Sequence, residues 1–433
     1  MVAAAAEASV RAGGETPMNE TATLNASNDP TSPDKGAPST GISGLAAEMR
    51  VAAADGVRTV VPGISIEAIS FSDMPGWAGD DQRAALHAFL VGCEKLRDRF
   101  AGLGVSGRDL AALCGKVNKA KGSRAAARAF FEREFVPVWL FDKGAPLAGF
   151  VTGYFEPAIP GSRVRTDRFT VPLYRKLDDL VKITAAERRT ATAAGIDPEY
   201  VFAPRTATGG LTEYPDRPAI EAGALSCRGL EIAWVEDPID AFFIHVQGSA
   251  RLQLADGSVM RLAYAAKSGQ PYTAIGRILI ARGEIARQDM TMETLRAWLE
   301  AHRNEARALI DYNRSFIFFR EMEGDADAGP EGAAGVPLTP GRSLAVDRKL
   351  HAFGTPIYVE ADLPKTAGGH FAQLMIAQDT GSAIVGPARG NIFVGTGVQA
   401  GRLAGEIKHG ARFTVLAPRG SRLARASAQG EHR

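Results

Sequence analysis

Residues 251–264 read RLQLADGSVMRLAY, two runs of alternating apolar and polar residues around Asp256-Gly257. Period-two alternation fits a strand with one buried face, and Asp-Gly supplies the positive φ that a tight hairpin needs. The spacing predicts a β-hairpin here. Outward from it, short aliphatic and aromatic segments recur between Gly, Pro and Asp. On the N-terminal side they are FVTGYFEP (150–157), FTVPLYRK (169–176), LEIAWVED (230–237) and AFFIHVQG (241–248). On the C-terminal side they are SFIFF (315–319), PIYVE (356–360), AQLMIAQD (372–379), NIFVG (391–395) and RFTVLA (412–417). Such a texture implies β domains of barrel or sandwich type.

Helical periodicity occupies two other regions. Asp80 or Asp81 can cap a helix whose stripe is Leu86, Phe89, Leu90, Cys93 and Leu96, and a second helix starts near Ser123 and ends before Pro137. Between 271 and 312, Ile275, Ile278 and Leu279 form one face, with Gly283 as a stop. Thr291 caps the next helix, which carries Leu295, Trp298 and Leu299. The order is therefore helices, an inserted β region, helices, and a second β region. Residues 1–62 are poor in large apolar side chains and are expected to be a disordered leader. Residues 323–335 read as a solvated loop, and 419–433 as a disordered basic tail.

The chain has 433 residues, 45% hydrophobic and 23% charged, with a formal net charge of +1. That balance suits a globular protein with a sizeable core and gives no global pull toward nucleic acid. The basic run GSRVRTDR (161–168) reads as a solvated loop. Three cysteines, Cys93, Cys114 and Cys227, form no metal-ligand pattern. Cys93 and Cys114 fall in apolar helical contexts, where burial or a mutual disulfide are both open. No run is long and apolar enough to span a bilayer. The first residues show no cationic segment before an apolar one and no lipid-anchor cysteine.

No phosphate-binding glycine loop and no H-E-x-x-H appears, and the seven histidines do not cluster, so neither cofactor nor metal is expected. His245 alternates with Phe243 in a predicted strand and reads as a packed or surface histidine rather than a ligand. Asp347 in SLAVDRKL and Asp379 in LMIAQDTGSAIVG follow strand-like runs. Such placement presents a carboxylate at a sheet end; the plainer reading is that each caps its own turn. Asp379-Thr380-Gly381 also matches the aspartic-protease signature. That chemistry needs two carboxylates sharing one proton, and the chain has no second such motif.

An ordered set of motifs resembles the membrane-bound lytic murein transglycosylase A family, which ends in a 3D domain. The set is TGYFEP (152–157), FTVPLY (169–174), EAGAL (221–225), HVQGSA (245–250), YAAKSGQPY (264–272) and IGRILIARGEI (275–285). It continues through NRSFIFF (313–319), GVPLTPGRSLAVDR (335–348), IAQDTGSAIVG (376–386) and NIFVGTG (391–397). The resemblance implies a mainly β fold with helices. A double-psi β-barrel domain would come from residues 63–155 and 313–418. A second β domain, 156–312, would be inserted with its following helices, leaving a groove between the two.

It also implies cleavage of the β-1,4 bond between N-acetylmuramic acid and N-acetylglucosamine, leaving a 1,6-anhydromuramic end. One carboxyl suffices for that reaction, because the nucleophile is the sugar's own C6 hydroxyl. Of the family's three barrel aspartates, two fall on Asp347 and Asp379. The third, resembling the acid/base, falls on Asn391, and an amide cannot run either half of the reaction. Three readings follow. Asp379 takes over the role, the protein binds glycan without cutting it, or Asn391 is an isolated change in a competent enzyme.

Tyr154, Gln247, Lys267 and Tyr272 lie in motifs that resemble glycan-contacting segments, while Gly153, Gly248 and Gly269 read as backbone requirements. The implied setting is the periplasm or outer membrane. The implied partners are peptidoglycan glycan strands and cell-wall machinery proteins, with no nucleic acid, and the protein is expected to be a monomer.

Overall fold

The computed structural model describes residues 63–428 apart from 97–102, 118–121, 194, 199, 326–327 and 366–367. The expected leader, 1–62, lies outside the described residues. The larger domain opens with an edge strand, Ile64–Ala68, and three helices: α1 (Gln82–Gly92), α2 (Gly107–Val117) and α3 (Arg124–Glu134). Asp81 caps α1 by accepting from the Arg83 N–H, and Ser123 caps α3 by accepting from the Ala126 N–H. Their apolar faces carry Leu86, Phe89, Phe130 and Phe131, all at most 1% exposed. The Phe89, Phe130 and Phe131 rings pack on Phe135, where the first long strand begins.

That strand is β1 (Phe135–Asp142), followed by β2 (Gly149–Glu156). The chain then leaves for roughly half its length. It returns as β6 (Ser343–Val346), β7 (Pro356–Asp362), β8 (His370–Asp379), β9 (Arg389–Thr396) and β10 (Lys408–Pro418). Strands β10, β7, β8, β6, β9 and β2 are hydrogen-bonded in that order, and β2 pairs back onto β10. The ring is therefore a closed barrel built from both ends of the chain, with no free edge. Its interior is aliphatic, with Val151, Leu344, Val346, Ile357, Val359, Met375 and Ala377 all fully buried. Helix α8 (Gly397–Glu406) lies close against β2: a Cβ on Gly153 would sit 2.7 Å from Ala404 Cα. Gly269 is likewise required, at φ +92° with Phe202 O 2.6 Å from a would-be Cβ.

The inserted domain holds a four-stranded sheet of Ala158–Pro160, β3 (Ser249–Gln253), β4 (Val259–Lys267) and β5 (Ile317–Met322). β3 and β4 form the expected antiparallel hairpin, with Gly257 at φ +82° in its turn. Helices α4 (Pro238–Gln247), α5 (Ile275–Ala281), α6 (Met292–Ala301) and α7 (Arg303–Asp311) bury Phe242, Phe243, Leu279, Leu295 and Leu299 in one cluster. Thr291 caps α6 as expected.

Four sequence expectations are corrected. AFFIHVQG is not a strand but α4, capped by Asp237 with Pro238 in its first turn. Being apolar on nearly every face, it shows no helical period. The return to the barrel does not occur at 313: SFIFF supplies β5, which pairs with β4 of the insert from Arg261↔Met322 to Lys267↔Ile317. The expected tail is ordered in its first part, where Arg422–Ala428 form a helix (α9) that buries Leu423 and Ala424 against the larger domain. The run 323–335 is not a free loop, as described below.

Cys93 and Cys114 form a disulfide. It closes a loop across a sequence separation of 21, which removes freedom from the unfolded chain and stabilises by about 3 kcal/mol on the chain-entropy account. A Cys93→Ser/Cys114→Ser variant is expected to lose stability of that order in urea titration. An unchanged midpoint would show that the bridge constrains nothing the fold does not already hold. Cys227 is free and exposed.

Candidate functional site

Between the two domains lies a cleft of about 510 Å³. Its barrel side is formed by Tyr154 of β2 and the turn after β8, Asp379 to Ala383. Its insert side carries His245 and Gln247 of α4, Tyr264 and Lys267 of β4, Tyr272, Asn313 and Ser315. The segment 330–335 runs along one wall.

Asp379 is the last residue of β8, where a strand-end carboxyl can face the cleft on a rigid base. Its Oδ1 accepts two backbone N–H groups, from Ala333 and Thr380, each at 2.9 Å. Its Oδ2 accepts from the Tyr154 hydroxyl at 2.8 Å. Among the described residues, no cation and no second carboxyl is a partner of Asp379. Burial raises the Asp379 pKa above the usual carboxylate range, against the lowering pull of these three hydrogen bonds. Burial also drives the Tyr154 phenol well above its ordinary value, helped by the Asp379 charge, so Tyr154 stays neutral. With Oδ1 held by two N–H groups, Oδ2 is the oxygen left to carry a proton.

The other carboxyl of the cleft lining, Glu331, is tied to Arg320 at 2.5 Å. Thus the described residues form no pair of carboxylates sharing a proton, as the aspartic-protease reading requires.

The wall segment is clamped from the insert. Arg261 donates to the carbonyls of Asp325 and Gly329, each at 2.6 Å, and Arg251 donates to that of Ala328. Arg251 also reaches the Glu156 carboxylate at 2.6 Å. This strap delivers the Ala333 N–H to Asp379, and Ala334 N–H donates to Gln378 O at 3.0 Å. It lies so close that a Cβ on Gly332 would fall 2.6 Å from Gln378 O and 2.5 Å from Leu338 Cδ2. Gly332→Ala is expected to cost about 1–3 kcal/mol from overpacking. Pushing Ala333 off Asp379 would remove one of the bonds that lower its pKa, so the alkaline limb of a pH–rate profile should move to higher pH. An unmoved limb in the folded variant would refute the coupling.

Of the residues singled out from sequence, Asp379, Tyr154, Gln247, Lys267 and Tyr272 all line this one cleft. Two do not. Asp347 is 7% exposed and fastens a turn: Oδ1 accepts from Lys349 N–H and Oδ2 from Gly386 N–H, each at 2.9 Å. The plainer turn-capping reading holds for it. Asn391 is 0% exposed, with Oδ1 accepting from Thr152 Oγ1 at 2.7 Å and Nδ2 without a partner. It sits in mid-strand, paired with Ala345 and Thr152, and is not among the residues that line the cleft.

Among the residues passed over are Ala333, Arg217, Lys182 and Arg348, all on the cleft lining. Arg348 closes the quoted motif 335–348 but was not singled out in it, and no periodicity or motif marks the other three.

The matching family models follow the same division. The MltA specific insert domain matches residues 150–320, and the 3D domain matches 342–417. A crystal structure of membrane-bound lytic murein transglycosylase from Agrobacterium tumefaciens superimposes with a TM-score of 0.75 at 43% identity, covering 82% of this chain and 98% of that one. The chain belongs to the lytic murein transglycosylase A family. Membrane-bound lytic murein transglycosylase A of Escherichia coli K12 is 34% identical over 271 residues, 61% of this chain and 64% of that protein's length. The structure of E. coli MltA with bound chitohexaose aligns with a TM-score of 0.57 at 28% identity, over 77% of this chain and 90% of that one.

The fold is that of the family, mainly β with helices: a double-psi barrel assembled from both ends of the chain, an inserted β domain, and a groove between them. Among the described residues, no helix is long and apolar enough to cross a membrane.

Proposed function

We propose that this protein is a peptidoglycan lytic transglycosylase whose acid/base is Asp379. The observation that carries the proposal is a carboxyl with a raised pKa, set in the interdomain cleft and paired, among the described residues, with neither a cation nor a second carboxyl. Hydrolases of glycosidic bonds place two carboxylates at the scissile bond. A lone carboxyl suits a reaction whose nucleophile belongs to the substrate.

In this scheme Asp379, protonated on Oδ2, gives its proton to the glycosidic oxygen as the bond from muramic C1 to that oxygen breaks. Tyr154 donates to the other lone pair of Oδ2, which leaves the acid proton free to face the glycosidic oxygen, and it stabilises the carboxylate that remains. That carboxylate then takes the proton of the C6 hydroxyl as the oxygen closes on C1 and forms the 1,6-anhydro ring. The proton count balances, and Asp379 ends as it began. Gln247, Lys267 and Tyr272 line the insert side of the groove, where amide, ammonium and ring faces suit acetamido groups, hydroxyls and sugar rings.

A second reading rests on Asn391. The resemblance puts the acid/base there, the amide cannot serve, and its Nδ2 has no partner. On that reading the groove holds glycan strands without cutting them.

Purified sacculi incubated with the protein and with Asn391→Asp decide between the two, with 1,6-anhydro-muropeptides read by mass spectrometry. Product from both supports Asp379; product from the variant alone supports glycan binding as the natural role. The setting we infer is the periplasm or outer membrane, because the substrate lies there and the Cys93–Cys114 disulfide suits an oxidising compartment.

A further inference from the structure

The histidine that sequence reading set aside lies on the cleft. His245 sits near the end of α4, which Gly248 closes in the left-handed conformation, and it is only 6% exposed. Its Nδ1 accepts the Ile317 backbone N–H at 3.0 Å. A backbone N–H cannot be turned away, so Nδ1 keeps its lone pair and the ring proton resides on Nε2. The ring is fixed in place, with Phe316 at 4.3 Å and Phe319 at 5.3 Å between centroids. Among the described residues Nε2 has no partner, and it is not one of the enclosed polar atoms, so it opens toward the cleft that His245 lines. A polar group this deeply set, held in one tautomer and left without a partner, is a preorganised donor.

We propose that His245 is a substrate-binding residue: its Nε2–H donates to a neutral oxygen of the glycan, an N-acetyl carbonyl or a ring hydroxyl. A neutral acceptor fits because the ring cannot take a second proton without abandoning Ile317. Burial and the neighbouring Arg217 charge disfavour the imidazolium as well. Gln247, two residues on, lines the same cleft. The assignment rests on the glycan reading of the groove but not on whether the bond is cut.

The test uses the full chain and chitohexaose, a soluble β-1,4-linked N-acetylglucosamine hexamer. With ¹⁵N-labelled histidine, one imidazole should show the Nε2–H tautomer and shift on adding the oligomer. His245→Phe should fold, and should weaken oligomer binding by calorimetry about tenfold, the order of one lost hydrogen bond. On sacculi, KM should rise with kcat unchanged. His245→Gln, which can place an N–H near the same spot, should recover part of the loss.

Unchanged affinity in the folded Phe variant overturns the proposal, and so does a ring bearing its proton on Nδ1. A wild-type chain that binds no oligomer also overturns it. A chain that binds through His245 but releases no anhydro product leaves it standing and sinks only the catalytic reading.

Discussion

Replacing Asp379 with asparagine is expected to lower the release of 1,6-anhydro-muropeptides by about 10²–10⁴-fold, the usual contribution of a positioned acid/base. The change is nearly isosteric. Oδ1 can still accept the Ala333 and Thr380 N–H groups, and the new NH₂ can donate to Tyr154 where the carboxylate accepted. The fold should therefore persist, and glycan binding with it.

Stability should move the other way from activity. Burial raises the folded-state pKa of Asp379 above its unfolded value. The folded chain thus holds a proton that the unfolded chain releases between the two values. Such a group favours folding below the unfolded pKa and loses that advantage as pH rises through the folded one. Asp379→Asn removes the loss. Relative to wild type, the variant should be more stable at neutral pH, with the difference closing as pH falls to the ordinary carboxylate range. Activity above one-tenth of wild type would exclude Asp379 as the acid/base. A variant less stable at pH 7 would mean that its three hydrogen bonds outweigh its burial.

The second large effect is expected at a pair that does not line the cleft. Arg342 grips Asp80 with both guanidinium nitrogens, Nη2 at 2.8 Å and Nη1 at 3.1 Å, while the Leu374 N–H donates to Asp80 Oδ2 at 2.8 Å. Both side chains are nearly enclosed, at 1% and 9% exposure. Asp80→Ala leaves a buried guanidinium and a buried N–H without their acceptor, for a cost of about 3–5 kcal/mol. The loss should appear as a lower urea midpoint. Replacing both partners by apolar residues should restore much of it, because the charge is then no longer stranded. A loss under about 1 kcal/mol in the single variant would mean that water reaches the site on relaxation.

These two sites also mark what a linear reading could reach. The starts of α1, α3 and α6 were legible because a capping side chain and the N–H it satisfies are at most three residues apart. The hairpin at Asp256-Gly257 was legible for the same reason. Helix α8 was not, since its Ala- and Gly-rich run GVQAGRLAGE has little apolar stripe to show.

Tyr154 and Asp379 could be named as candidates, but their hydrogen bond joins positions 225 apart. Arg342 and Asp80 are 262 apart, and nothing local announces the pair. The strap over Asp379 was misjudged because its composition, EGDADAGPEGAAG, is that of a solvated loop. The bonds that hold it come from Arg261 on β4 and Arg251 on β3 of the insert.

The barrel's seam has a consequence for the order in which the protein can be made. β2 lies between β9 and β10, so Thr152 must wait for Asn391, 239 residues later, before it has a neighbour. A ribosome working from the N-terminus releases the insert complete, while β1 has only the Ile64–Ala68 strand and Ala145–Pro146 beside it and β2 stays unpaired until β9 and β10 appear. During synthesis, the half-made barrel is thus an open strand edge waiting for its closing pieces. A message truncated before β10 would yield a folded insert carried on a sticky, unfinished barrel.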